Sequence, residues 1–149
     1  LKGITEKGIT FYTNFKSRKG QELANNPNCA VVFLWGGLER QVRIEGQVNQ
    51  LLYEESEEYY NSRPFESRVS AYISPQSEII NDKAELEKQW ETLNQKYKET
   101  QDIPMPEHWG GYEIICESFE FWQGRPSRFH DRFLYTKANQ AWKIERLAP

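Results

Sequence analysis

Apolar positions mark strands over three stretches of the chain and recur with a helical period over others. "GITFYT" (8–13) is rich in β-branched and aromatic residues and reads as a strand. "CAVVFLW" (29–35) is a continuous apolar strand. "RQVRIEGQVNQLL" (40–52) alternates, with Val42 and Ile44 on one face and Gln41, Arg43 and Glu45 on the other. Between the first two, Ser17 can cap a short helix that "NNPN" ends. "EESEEYYNSRPFESRVSAYI" (54–73) reads as two short helices broken at Pro64, which suits the first turn of the second. In "DKAELEKQWETLNQKYKET" (82–100), Leu86, Trp90, Leu93 and Tyr97 form a single apolar stripe, the mark of a packed helix. "QDIPMPEHWGG" is a loop, and three more strands are expected at 112–123, about 128–136 and 141–147. Strands joined by hairpin-length links, with helices inserted and not alternating, predict an antiparallel barrel with peripheral helices, in a mainly β (α+β) class.

Composition narrows the function classes. A chain of 149 residues fits one domain (1–149). Lys and Arg number 19 against 22 Asp and Glu, a net charge of -3, which argues against a nucleic-acid partner but leaves room for a small anion held by a local cluster. Aromatics reach 14%, so large rings supply much of the apolar area. Cys29 and Cys116 both lie in apolar runs and read as buried, inert thiols; neither has metal-ligand spacing to His108 or His130, so no metal is expected. No apolar run is long enough to span a membrane, and a cytoplasmic location is expected. The opening "LKGITEKGITFYTNF" reads as starting inside a strand, with "TEKG" as a hairpin turn, so a preceding N-terminal segment of the domain is expected to be absent.

Three clusters carry candidate chemistry. In "FWQGRPSRFHDR" (121–132), a strand from 128 would set Arg128, His130 and Arg132 on one face, with Phe129 and Phe133 toward the core. Asp131 would also fall on the core side unless it sits at the rim or pairs with another strand's arginine. In "FYTNFKSRKG", Arg18 and Lys19 stand at a helix start, where free N–H groups and a partial positive charge suit phosphate. In "YYNSRPFES", Tyr59, Arg63 and Ser67 are spaced four apart and can all donate to phosphate oxygens. Each cluster taken alone is equally compatible with a solvated, salt-bridged surface. Together they suggest two phosphorylated molecules, one a cofactor and one a substrate.

Across nearly its whole length the sequence resembles the pyridoxamine 5′-phosphate oxidases. The resemblance rests on "FYTNFKSRKG", "RQVRIEG", "YYNSRPFESR", "SPQSE", "HWGGY", "EFWQGRPSRFHDRF" and "AWKIERLAP", in family order. It implies an FMN-binding split antiparallel β-barrel working as a homodimer, with FMN at the subunit interface. It further implies oxidation of pyridoxamine or pyridoxine 5′-phosphate to pyridoxal 5′-phosphate, with O2 as acceptor and H2O2 as product. By resemblance, Tyr12, Thr13, Arg18, Lys19, Gln41, Gln76, Ser77, Trp122 and Arg132 contact FMN. Lys2, Tyr59, Arg63 and Ser67 grip the substrate phosphate, and Arg128 and His130 lie over the substrate ring as the catalytic pair. His130 is compatible with either a general base or a hydrogen-bond donor.

Some positions depart from the family pattern. Only Leu1 and Lys2 remain of an Arg-x-(Val/Ile)-Leu-Leu-Lys strand end, Glu78 stands where a serine is common, Ser70 where a glycine is usual, and Phe129 where leucine is. A non-catalytic module holding flavin or pyridoxal phosphate is the alternative reading, against which the retention of Arg128 and His130 weighs. A flavin reductase of the same fold is disfavoured by the second phosphate grip in "YYNSRPFES".

Overall fold

The computed structural model describes residues 1–139 and 141–149. Its frame is a single antiparallel sheet of seven strands: β1 (Gly3–Ile4), β2 (Gly8–Asn14), β3 (Asn28–Trp35), β4 (Arg40–Gln50), β5 (Trp109–Gln123), β6 (Asp131–Ala138) and β7 (Ala141–Arg146). The order is β1-β2-β5-β4-β3, and β6, carrying β7, joins the second half of β5. β5 is therefore the spine, pairing with β2 through its first residues, with β4 along most of its length and with β6 beyond Ser118. The sheet curls as a half-barrel around Ile9, Ile44, Val48, Tyr112, Ile114 and Cys116. Both thiols are free, Cys116 buried and Cys29 half-buried, and burial raises the pKa of each.

Four helices stand off the sheet: α1 (Arg18–Asn25), α2 (Tyr53–Ser62), α3 (Phe65–Ile73) and α4 (Lys83–Tyr97). Ser17 caps α1 as expected, its hydroxyl accepting from the Gly20 N–H at 3.3 Å. Pro64 separates α2 from α3, but as the N-cap residue of α3, one place earlier than expected. Trp90, Leu93 and Tyr97 of the α4 stripe pack on a second core of Tyr60, Phe65, Val69, Ile103, Met105 and Trp109. This core joins the helices to the start of β5. There Gly110 and Gly111 leave room for two rings, since a Cβ would lie 2.5 Å from Phe15 and 2.7 Å from Tyr12 respectively.

The expected strand from 128 is the main correction. β6 begins only at Asp131, and residues 126–128 form a single 3-10 turn. Pro126 brings no N–H to a ladder, and Ser127 and Arg128 take left-handed backbone at φ 59° and 63°, which breaks strand alternation. Arg128, His130 and Arg132 therefore do not share a strand face, and Phe129 is 77% exposed instead of facing the core. Asp131 has the arginine partners its position demanded, with Arg125 Nε donating at 2.7 Å and Arg146 Nη1 of β7 at 3.2 Å.

The edge strand β3 carries a second surprise. Its inward residues Val31 and Phe33 pack on the core, yet Val32, Leu34 and Trp35 are exposed, Leu34 by 66%. An apolar outer face left wet on a sheet edge is a surface suited to another chain.

Candidate functional site

At the β2 end of the sheet, a cavity of about 460 Å³ is lined by Lys2, Tyr12, Thr13, Tyr59, Arg63, Ser67, Gln76 and Trp109, among others. Tyr59 comes from α2, Arg63 from the α2 C-cap, and Ser67 from the first turn of α3. The Pro64 break thus turns the chain so that the four-residue spacing still delivers all three groups to one place. Lys2 arrives from the strand end ahead of β1, where its N–H donates to Thr10 O at 2.9 Å.

Arg63 is the electrostatic centre of this cavity. It makes no ion pair with any described residue, and its Nη1 is buried without a hydrogen-bond partner. Removal from water lowers its pKa. A buried guanidinium nitrogen with an unused N–H, opening on a cavity beside a lysine, a phenol and a hydroxyl, matches an anion with several acceptor oxygens.

Beside it lies a second polar group. Lys19 Nζ donates to Gln76 Oε1 at 2.8 Å and to Thr13 Oγ1 at 3.2 Å, and Thr13 Oγ1 donates to Gln76 Oε1 at 2.8 Å. Lys19 sits in the first turn of α1, where backbone N–H groups have no helical partner. Asn14 fixes the segment opposite, its Nδ2 donating to Ser74 O at 3.0 Å. Arg18 is not gathered here: its Nε donates to Glu22 at 2.8 Å at the surface, which raises its pKa. Ser77 follows Gln76 in left-handed backbone, at φ 72°.

The remaining expected residues lie at the other end of the spine. Tyr12 is in register with Gly111, whereas Gln41 is in register with Trp122, eleven positions further along β5. That is roughly 35 Å of extended strand. Gln41 and Trp122 line a separate cavity of about 570 Å³ with Trp35, Arg125 and Asp131. The His130 ring lies 4.9 Å from Trp122, and its Nδ1 accepts from the Arg125 N–H at 3.1 Å. A neutral imidazole so held carries its proton on Nε2. Arg132 Nε donates to Glu120 Oε1 at 2.7 Å and Nη1 to Ala148 O at 3.0 Å, tying the C-terminal segment to β6. The hydrogen bond from Arg132 holds the Glu120 carboxyl below its usual range.

Sequence reasoning assigned no role to Trp109, Glu120 or Arg125. Trp109 was visible only as a letter in "HWGGY", read as the end of a loop, whereas it opens β5 in register with Asn14. Glu120 pairs across strands with Arg132 and Arg43, which a register between β4, β5 and β6 would have disclosed.

Residues 2–97 match the family described as pyridoxamine 5′-phosphate oxidase, and residues 109–149 match the pyridoxine 5′-phosphate oxidase C-terminal dimerisation region. A pyridoxine/pyridoxamine 5′-phosphate oxidase of Salinibacter ruber is 50% identical over 151 residues, and one of Trichormus variabilis is 53% identical over 150. In both cases all of this chain and 70% of the relative are covered. Among solved structures, PhzG from Burkholderia lata in complex with tetrahydrophenazine-1-carboxylic acid superposes with a TM-score of 0.90 at 26% identity, over 99% of this chain and 71% of that one. A pyridoxamine 5′-phosphate oxidase-related, FMN-binding protein of Nostoc punctiforme shares the fold, with a TM-score of 0.75 at 14% identity over 99% of this chain and 76% of that one. With both halves matched and half of its residues shared with full-length relatives, the chain belongs to the pyridoxamine 5′-phosphate oxidase family of FMN-binding split-barrel proteins.

Proposed function

We propose that the chain is an FMN-dependent oxidase of pyridoxine or pyridoxamine 5′-phosphate, working as a homodimer built from a single domain (1–149). The observation that carries this reading is the cavity at the β2 end, where the unpartnered Arg63 and the Thr13–Lys19–Gln76 cluster lie side by side. Two adjacent cationic grips suit two phosphorylated molecules held face to face.

Lys19 at the start of α1, with Thr13 of β2 and Gln76, whose Oε1 accepts from both, fits the FMN phosphate and its ribityl hydroxyls. Arg63, Lys2, Tyr59 and Ser67 hold the substrate phosphate, which aims the oxidisable carbon. When bound, FMN would supply the two-electron oxidation of that carbon, with O2 as the final acceptor and the two hydrogens removed leaving as H2O2. The alcohol substrate thereby becomes the aldehyde directly, and the amine becomes the aldehyde after water releases ammonia. Such positioning is worth up to about 7–11 kcal/mol of barrier in ideal cases.

Gln41, Trp122, Arg128, His130 and Arg132 stand roughly a strand's length away in the same chain and reach the site from a second copy. With Nδ1 already accepting from Arg125, His130 offers an Nε2–H and acts as a donor to the substrate, not as a base. Arg128, exposed in left-handed backbone, lies over the ring.

Anaerobic mixing of the FMN-loaded protein with pyridoxine 5′-phosphate should bleach the flavin, and admission of air should restore its colour and release peroxide. Binding without bleaching would instead favour a carrier of the same fold. The high structural similarity to PhzG, whose bound compound is a carboxylic acid, supports a second reading in which Arg63 grips a carboxylate. Bleaching by a reduced tricyclic carboxylate and not by pyridoxine 5′-phosphate would select it.

A further inference from the structure

We propose that Trp109 is a positioning residue for anion recognition: its ring holds the Arg63 guanidinium in place without neutralising it. This rests on the reading of Arg63 as the substrate-phosphate grip. An arginine meant to receive an anion faces a conflict. A carboxylate partner would fix its geometry but consume its charge, whereas an unpaired side chain of this length keeps many rotamers. Among the described residues no carboxylate is paired with it. Instead Arg63 Cζ lies 5.0 Å from the Trp109 ring centroid, within cation–π range. The ring quadrupole orients the guanidinium while leaving its N–H groups free for an acceptor.

Trp109 is built to be immobile. It is 6% exposed, and its backbone N–H donates to Pro106 O at 3.0 Å. Tyr60 packs edge-on to it at 5.2 Å and 64°, itself anchored through its hydroxyl to Arg68 O at 3.0 Å. Tyr12 and Tyr59 lie nearly parallel to the indole, at 5.4 Å and 14° and at 6.3 Å and 7°. They stack on each other at 3.9 Å. One ring therefore backs Arg63 and Tyr59 from the C-terminal end of α2 and Tyr12 from β2. Backbone constraint completes the mount: the Arg63 N–H donates to Tyr60 O at 3.2 Å, and Pro64 follows.

The test compares affinities of the FMN-loaded protein for pyridoxal 5′-phosphate and for phosphate-free pyridoxal, by titration. A desolvated cation–π contact corresponds to about 2- to 30-fold in affinity. Trp109→Leu should weaken pyridoxal 5′-phosphate about 10-fold and pyridoxal hardly at all, with flavin content unchanged. Trp109→Phe, which keeps a smaller face and the fold, should fall between Trp109→Leu and the parent. In an Arg63→Met background, Trp109→Phe should have no further effect on the phosphorylated ligand. Equal losses for both ligands, or a Trp109→Phe loss that persists undiminished without Arg63, would mean that the ring only supports the fold and would overturn the proposal. If Arg63→Met weakens pyridoxal 5′-phosphate while both Trp109 variants bind it like the parent, the positioning claim alone fails. If Arg63→Met leaves its affinity intact, the phosphate-grip reading fails and takes this inference with it.

Discussion

Replacing Arg63 with Met should move stability and binding in opposite directions. The buried Nη1 has no hydrogen-bond partner, a deficiency that costs about 1–3 kcal/mol. The contact with Trp109 returns about 0.5–2 kcal/mol of that. Methionine keeps an apolar stem and a sulfur against the ring, so the packing loss is small. The ligand-free FMN protein should therefore gain about 1 kcal/mol, or roughly 2–4 °C in Tm for a chain of this size. Against that, the variant loses at least two charge-assisted hydrogen bonds to phosphate, each worth about 1.5–3 kcal/mol, so substrate affinity should fall at least about 100-fold. Thermal melts at fixed protein and FMN concentration, with and without pyridoxal 5′-phosphate, read both effects at once. The parent should melt lower than the variant without ligand and gain Tm with it, while the variant should gain almost nothing. A variant that melts below the parent and is still stabilised by the ligand would refute the reasoning, because Arg63 would then be a structural residue with satisfied surroundings.

Three further outcomes are expected. Lys19→Met should weaken FMN binding about 10- to 100-fold, from the loss of one charged donor, while the Thr13–Gln76 bond keeps the cluster folded; fluorescence titration with FMN checks it, and an unchanged Kd would remove Lys19 from the cofactor site. Leu34→Asp should convert dimer to monomer in sedimentation and reduce flavin retention. A leucine buried between subunits is worth about 2 kcal/mol and an unpaired carboxylate there adds a penalty, so dimer dissociation should rise at least about 30-fold. A parent-like dimer would show that the exposed face of β3 lies outside the interface. Glu120→Gln should lower stability at neutral pH. Because the Arg132 bond depresses the Glu120 pKa in the folded state, its contribution is present above the unfolded value and lost as pH falls through the folded one. The gap between variant and parent in urea midpoints should therefore close below the ordinary carboxylate range, and a gap constant with pH would mean that the pair is not its source.

Periodicity was enough to find β2, β3, β4 and α4, because each has an apolar face that alternates or repeats against one core. The Ser17 cap was equally legible, since capping depends on a single side chain and a local turn. Residues 128–130, expected to begin a strand, were not, because the left-handed Ser127 and Arg128 leave no pattern in hydrophobicity, and Phe129 supplied a misleading apolar letter where the chain is wet. Among site residues, Tyr59, Arg63 and Ser67 could be grouped by spacing alone. Trp109 could not, since its neighbours come from β2 and α2, far away in sequence.

The distribution of those residues over the sheet constrains how the site can be completed. β5 carries Trp109 at one end and Trp122 at the other, and it is held rigid between by ladders to β2, β4 and β6. No loop movement carries Gln41, Trp122 or His130 to the cavity of Arg63, because all three are fixed, eleven positions along β5 from Gly111, by strand register or by the short turn next to it. If both groups serve one flavin, the second group must come from another copy. In a two-fold pair, each spine can offer its Trp109 end to one flavin and its Trp122 end to the other, so the same separation that prevents one chain from forming a site lets two chains form two. Mixing inactive Arg63→Met chains with inactive chains altered at Arg128 should then restore about one quarter of parental activity per total site when subunits exchange at random, since half of the dimers are mixed and each regains one of its two sites. Activity that stays at the level of the two separate variants after proven exchange would place the whole site within a single chain.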